Sequence, residues 1–135
     1  MEAGDTVKDW LAYLSEKKHV VALIQESLGC ACPHEVFDHY QVRCVMTTPF
    51  PYVKMVVGER LLVYLVPCEH NQVSSGQAAR LLHEGVQERD GKGLNRFRLA
   101  LVGASSPVTD QLEQEVQSLN DSKVHLHVIR SISGS

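Results

Sequence analysis

Six consecutive apolar or aromatic residues, Leu61-Leu62-Val63-Tyr64-Leu65-Val66, constrain the fold more than any other feature of the chain. Side chains of a strand alternate between the two faces of its sheet. A strand apolar at every position must be covered on both faces, so it belongs inside a sheet flanked by helices. A second run rich in Val, Met and Tyr, Tyr52–Val57, precedes Arg60–Val66, and only Gly58-Glu59 separates them. Two such runs around a two-residue loop predict a β-hairpin, and glycine at the first loop position predicts a type II′ turn.

The remaining elements follow from periodicity. Thr6 with Asp9 predicts a helix start. Val7, Trp10, Leu11 and Leu14 recur at helical spacing, Lys17-Lys18-His19 interrupt, and Val20, Val21, Leu23, Ile24 and Leu28 resume before Gly29. This reads as one long helix or two joined near Glu16–His19. Pro33 to Phe37 suits a short helix start, and Tyr40–Met46 a weak strand broken by Thr47-Thr48-Pro49. Ser74 or Ser75 caps a helix with Ala78, Ala79, Leu81, Leu82 and Val86 on one side, ending near Gly93. Phe97–Val102 is a third strong strand. Ser106 as cap and Pro107 as first residue open the next helix, carrying Val108, Leu112, Val116 and Leu119, and Val124–Ile129 is the last strand.

Two successive strand–helix–strand units require parallel pairing through right-handed crossovers. The fold expected is a three-layer α/β single domain over residues 1–135, with 1–5 and 131–135 frayed. Its mixed sheet holds the antiparallel hairpin followed by two βαβ crossovers, and the N-terminal helix or helix pair packs on it. Leu61–Val66 and Phe97–Val102 are expected side by side and parallel. The helix–strand–strand–strand–helix–strand order from Val20 to Val102 resembles that of the PD-(D/E)XK nuclease core. That family places an acidic residue and, two later, a lysine in its third strand. Here Glu59 lies in the turn, Leu61 follows two later, and no nuclease residue carries over.

Composition narrows the function classes. The 135 residues are 44% hydrophobic and 21% charged, which fits a globular chain and excludes wholesale disorder. A net charge of −3 argues against nucleic acid as partner. No apolar run approaches the ~20 residues of a membrane helix, so no membrane partner is expected. Met1 to Asp9 is polar and acidic, unlike a secretory signal, so the expected location is cytoplasmic, with the four cysteines reduced.

Two constellations can carry chemistry. Ligands of open α/β sheets bind beyond the carboxyl ends of parallel strands. Here those ends lead into Pro67-Cys68-Glu69-His70 and Gly103-Ala104-Ser105-Ser106. Cys68, Glu69, His70, Gly103, Ser105 and Ser106 form a candidate site for a small anionic ligand, with helix-terminal N–H groups as donors. Helix capping alone also accounts for the second loop. The other constellation is Cys30, Cys32 and His34. A thiol at a helix start is acidified and redox-active. Zinc or an iron–sulfur cluster needs about four ligands, for which Cys44 and Cys68 complete a nominal set. Cys-x-Cys is not, however, the spacing of common zinc knuckles. His125 and His127, two apart on a strand, share one face and can chelate a metal or form the wetter face of an edge strand. Arg96 and Arg98 can meet an anion.

No catalytic triad or paired-carboxylate motif is present in the sequence. The leading expectation is a non-catalytic binding or assembly module, with a homo-oligomer or protein partner engaged through the N-terminal helical stripe of Trp10 and Leu14. A thiol-redox or metal protein centred on Cys30 and Cys32, and a binder or enzyme for an anionic ligand at the strand ends, are the alternatives.

Overall fold

A computed structural model describes residues 3–29, 34–46, 51–68, 73–130 and 132. Its centre is the apolar run. Strand β3 (Leu61–Pro67) is buried at all seven positions and is third in a five-stranded sheet of order β1-β2-β3-β4-β5. The other strands are β1 (Tyr40–Val45), β2 (Tyr52–Val57), β4 (Arg96–Val102) and β5 (Val124–Ile129). The first three pair antiparallel. β3 and β4 run parallel, with Leu61 opposite Arg96 and Pro67 opposite Val102. β4 and β5 are parallel as well.

Alternation along β3 splits the core into two layers. Leu61, Val63 and Leu65 join Val53, Met55, Ala100 and Val102 on one face, beneath the N-terminal helices. Leu62, Tyr64 and Val66 join Phe97, Leu99 and Leu101 on the other. There α3 (Ser75–Lys92) contributes Ala78, Leu81 and Leu82, and α4 (Ser106–Leu119) contributes Leu112. Both crossover helices therefore lie on the same face. Among the described residues, no helix is long and apolar enough to cross a membrane.

The N-terminal segment forms two helices. α1 (Ala3–Tyr13) ends before Glu16, whose extended backbone precedes α2 (Lys17–Ala22). His19 fills the joint: its ring stacks on Tyr13 with centroids 3.9 Å apart, and its Nδ1 is 2.6 Å from the Tyr13 carbonyl oxygen. α2 then widens into a π-turn, Leu23–Ser27, where the Leu28 N–H reaches the Leu23 carbonyl five residues back at 3.0 Å. The widened turn brings Leu28 inward beside Leu23 and Ile24. Val7, Trp10 and Leu14 are 0, 6 and 0% exposed against the chain's own sheet. The stripe expected to meet a partner is thus covered from within.

Local geometry departs from expectation at three places. α1 begins at Ala3, so Thr6 lies inside the helix rather than at its start. Gly58 and Glu59 both have positive φ, 62° and 56°, which makes the hairpin turn type I′ rather than II′. Glycine is required at position 58 for a second reason: a Cβ there would lie 2.6 Å from Cβ of Val36, in the 3-10 turn His34–Asp38. The cap of α4 is Ser105 rather than Ser106, with Pro107 one residue further in. Ser74 caps α3 through a full capping box, accepting from the Gln77 N–H at 3.1 Å while its own N–H donates to Gln77 Oε1 at 3.0 Å.

Candidate functional site

The parallel β3–β4 pair brings the two expected loops together, since the Cys68 N–H donates to the Val102 carbonyl at 2.8 Å. The chemistry at this end is restrained by burial. Cys68 is 9% exposed and packs in the α3–α4 layer. Burial pushes its thiol up to about 11, against a small opposing effect of the hydrogen bond to Val102, so it stays protonated near neutrality. Gly103 takes a φ of 76°, which glycine alone adopts freely. Ser105 and Ser106 are exposed at the start of α4, and the Ser105 side chain makes no capping bond. Ligand crevices in open α/β sheets open where neighbouring connections leave to opposite faces. Here both leave to one face. Glu69 and His70 lie outside the described residues.

Cys30, Cys32 and the side chain of His34 also lie outside the described residues. Cys44 sits in β1 with its thiol 3.6 Å from the Val7 carbonyl oxygen, and burial raises its pKa. It behaves as a small apolar residue of the α1 layer. Among the described residues no three His, Cys, Asp or Glu side chains converge as a metal site. His125 and His127 share a face, as expected, with rings 6.4 Å apart.

The described residues form a different polar feature, a groove along β1 and the end of α3. Its larger part, about 420 Å³, is lined by Asp38, His39, Gln41, Glu59 and Lys92. A smaller part, about 90 Å³, shares Gln41, Val56 and Lys92 and adds Arg43 and Lys54. The ladder explains the convergence. Gln41 lies opposite Val56 and Arg43 opposite Lys54, so all four point to the face where α3 lies. α3 packs over β3 and β4, which leaves the β1–β2 half of this face open as the groove.

Glu88 of α3 anchors the inner wall. Its carboxylate accepts from the Tyr64 hydroxyl, from Lys54 Nζ at 2.9 Å, and from Lys92 one turn later. Burial would raise its pKa, but the hydrogen bonds from Lys92, Tyr64 and Lys54 outweigh it and hold the group at about 2. Burial, together with the bond to Glu88, raises the Tyr64 hydroxyl far above its ordinary range, so it remains a donor. Tyr52 packs on Tyr64 with centroids 4.9 Å apart, and Lys54 Nζ stands 5.7 Å from the Tyr64 ring centre. Two cations, Lys54 and Lys92, thus bind the Glu88 carboxylate, and Arg43 stands beside them in the smaller part of the groove, while Asp38 and Glu59 line the larger part.

The groove abuts the outer edge of β1, with which no strand pairs among the described residues. The Gly58 N–H donates to the His39 carbonyl at 2.6 Å, one step before the Tyr40–Val57 pair. Antiparallel ladders alternate bonded and non-bonded pairs. Gln41, Arg43 and Val45 therefore turn their backbone groups toward β2, and Tyr40, Val42 and Cys44 turn theirs outward. Sequence reasoning missed this site. Its legible traces were the Glu88–Lys92 spacing of four, and Lys54 and Tyr64 as polar groups in otherwise apolar strands.

Fold and site define an α/β domain with a polar groove of mixed charge beside an antiparallel edge strand. Compared with known protein families, curated proteins and solved structures, the chain matches none.

Proposed function

We propose that the protein is a non-catalytic binding module that takes an extended, acidic segment of a partner protein along the outer edge of β1. The supporting observation is the juxtaposition of that edge with Arg43, Lys54 and Lys92. Strand addition draws affinity from main-chain hydrogen bonds and selectivity from alternate side chains. The outward backbone groups of Tyr40, Val42 and Cys44 offer the hydrogen bonds. Acidic side chains on the α3 side of the added strand meet Arg43, which stands with Lys54 and Lys92 in the smaller part of the groove, whereas Asp38 and Glu59 line its larger part. The N-terminal stripe is already buried, so this reading places the partner at β1 rather than at α1. A cytoplasmic setting accompanies the reading, in keeping with the free thiols of Cys44 and Cys68.

The test is a fluorescein-labelled octapeptide of alternating Glu and Val, compared with its Lys–Val counterpart. The Glu peptide is expected to bind with a micromolar to millimolar Kd that weakens with added salt. Arg43→Glu, on an exposed side chain, is expected to lower affinity by about tenfold without loss of stability. Equal binding of both peptides, or none of either, refutes the proposal. Light scattering checks whether a second copy occupies the edge instead. A concentration-dependent dimer that the Glu peptide does not disperse would also refute it.

A further inference from the structure

On the opposite face, at the opposite edge of the sheet, a buried arginine lies beside two histidines, with no acid hydrogen-bonded to it among the described residues. Arg98 stands inside β4 and is 7% exposed. Its Nη1 donates to the Leu28 carbonyl at 2.8 Å and lies 2.8 Å from His127 Nε2 on β5. Its Nε is buried and has no hydrogen-bond partner among the described residues, and the same holds for Nε2 of His125. These two residues are direct partners across the β4–β5 ladder, with Arg98 opposite His125. Their side chains therefore leave the sheet on the same face from neighbouring strands.

Among the described residues, the charge that bears on Arg98 is positive. Arg96, two residues earlier on β4, bears electrostatically on both Arg98 and His125. The acid felt by His125 is Asp121, whose Oδ2 is taken by Arg89 Nη2 at 2.8 Å and whose Oδ1 is taken by the Lys123 N–H at 2.9 Å. The Leu28 carbonyl, at the C-terminal end of the α2 segment, supplies a partial negative charge to one N–H of Arg98. It leaves the guanidinium without a full counter-charge and the Nε donor unused. A buried charge of this kind is retained when something of opposite sign completes it.

We propose that Arg98 and His125 bind a small oxyanion, a phosphate or a carboxylate group, at the edge of the sheet beside Leu28. Arg98 Nε and the Nε2–H of neutral His125 donate to it, and Arg96 adds charge from the same strand. His127 is a positioning residue. Burial, then Arg98 and His125, hold its pKa down to about 4, so at neutral pH it accepts from Arg98 Nη1 and fixes the guanidinium plane. The groove at β1 plays no part in this site.

The test is a titration of the full chain with inorganic phosphate, and separately with acetate, at constant ionic strength. Imidazole resonances are followed by NMR together with the thermal midpoint. Saturable shifts are expected at His125 and at the Arg98 Nε–H, with a rise in midpoint. His125 should gain roughly tenfold in proton affinity as the anion arrives. His83, exposed on α3, should not respond. A response to phosphate alone marks a phosphate site, and a response to acetate alone marks a carboxylate site. Either supports the proposal. Arg98→Lys, which keeps the charge but lacks Nε, is expected to abolish the His125 shift. No saturable His125 response up to about 50 mM of either anion, where a millimolar site is saturated, overturns the proposal. So does a His83 response as large as that of His125. Both readouts come from the unmodified protein, so the outcome does not depend on how the variant folds.

Discussion

Glu88→Gln isolates the network that walls the groove. The substitution keeps the shape of the side chain and removes its charge. In the folded protein the carboxylate sits at about 2 against an ordinary value of 4.5. At about 1.4 kcal/mol per tenfold change in acidity, that difference is worth about 3 kcal/mol near neutrality. The side chain is 15% exposed, so solvent screens little of it. Because the folded group is the more acidic, its contribution is complete above the unfolded pKa and is lost as pH falls toward the folded one. Wild type should therefore exceed Glu88→Gln by about 3 kcal/mol at pH 7 and by about 2 kcal/mol at pH 3.5. The assay is urea unfolding followed by the fluorescence of Trp10, the single tryptophan, which is 6% exposed in the α1 layer. A gap under about 1 kcal/mol at pH 7, or one that does not change with pH, would refute the reasoning.

Three further predictions rest on the same kind of measurement. Gly85→Ala should destabilise by about 2–3 kcal/mol despite the better helix propensity of alanine, because the new Cβ would lie 2.0 Å from the Phe97 ring. Gly91→Ala, in the same helix and facing open space, should instead stabilise by about 0.5–1 kcal/mol, and urea midpoints of the pair compare the two directly. Glu59→Gly should raise stability by about 0.5–1 kcal/mol by relieving the left-handed backbone at φ 56°, and a lower thermal midpoint would contradict the type I′ turn. Asp121→Asn should cost about 1–3 kcal/mol by leaving the buried Arg89 guanidinium only its exposed partner, while Asp90→Asn, at that 61% exposed partner, should change stability by less than about 0.5 kcal/mol in the same urea assay.

The elements that sequence made legible are those fixed by burial pattern. An uninterrupted apolar strand has one place to go, and β3 lies third of five strands with both faces covered. The parallel β3–β4 pair follows from the intervening α3, because a crossover helix forces that direction. What escaped depended on backbone detail or on convergence. Glu59 in the left-handed region leaves no mark in composition, so the turn type was misassigned. The interruption at Lys17-Lys18-His19, which periodicity alone cannot resolve, is a break at Glu16, and the π-turn after Ala22 leaves no trace in the pattern. The groove needed β2, β3 and α3 to bring Lys54, Tyr64 and Glu88 together, from positions up to 34 residues apart. Arg98 looked like a flanking basic residue, because alternation assigns it a face without revealing that Leu28 covers that face. The strand-end loops were legible as neighbours. That α3 and α4 share a face follows from strand order, which sequence left open.

The claim that the outer edge of β1 is open for an added strand is tested most directly by amide hydrogen exchange along Tyr40–Val45. The free protein should show fast exchange at Tyr40, Val42 and Cys44 alternating with slow exchange at Gln41, Arg43 and Val45. Saturation with the Glu–Val peptide should slow the first set and leave the second unchanged. Uniform protection of the strand in the free protein, or fast amides that stay fast when the peptide is bound, would contradict the account.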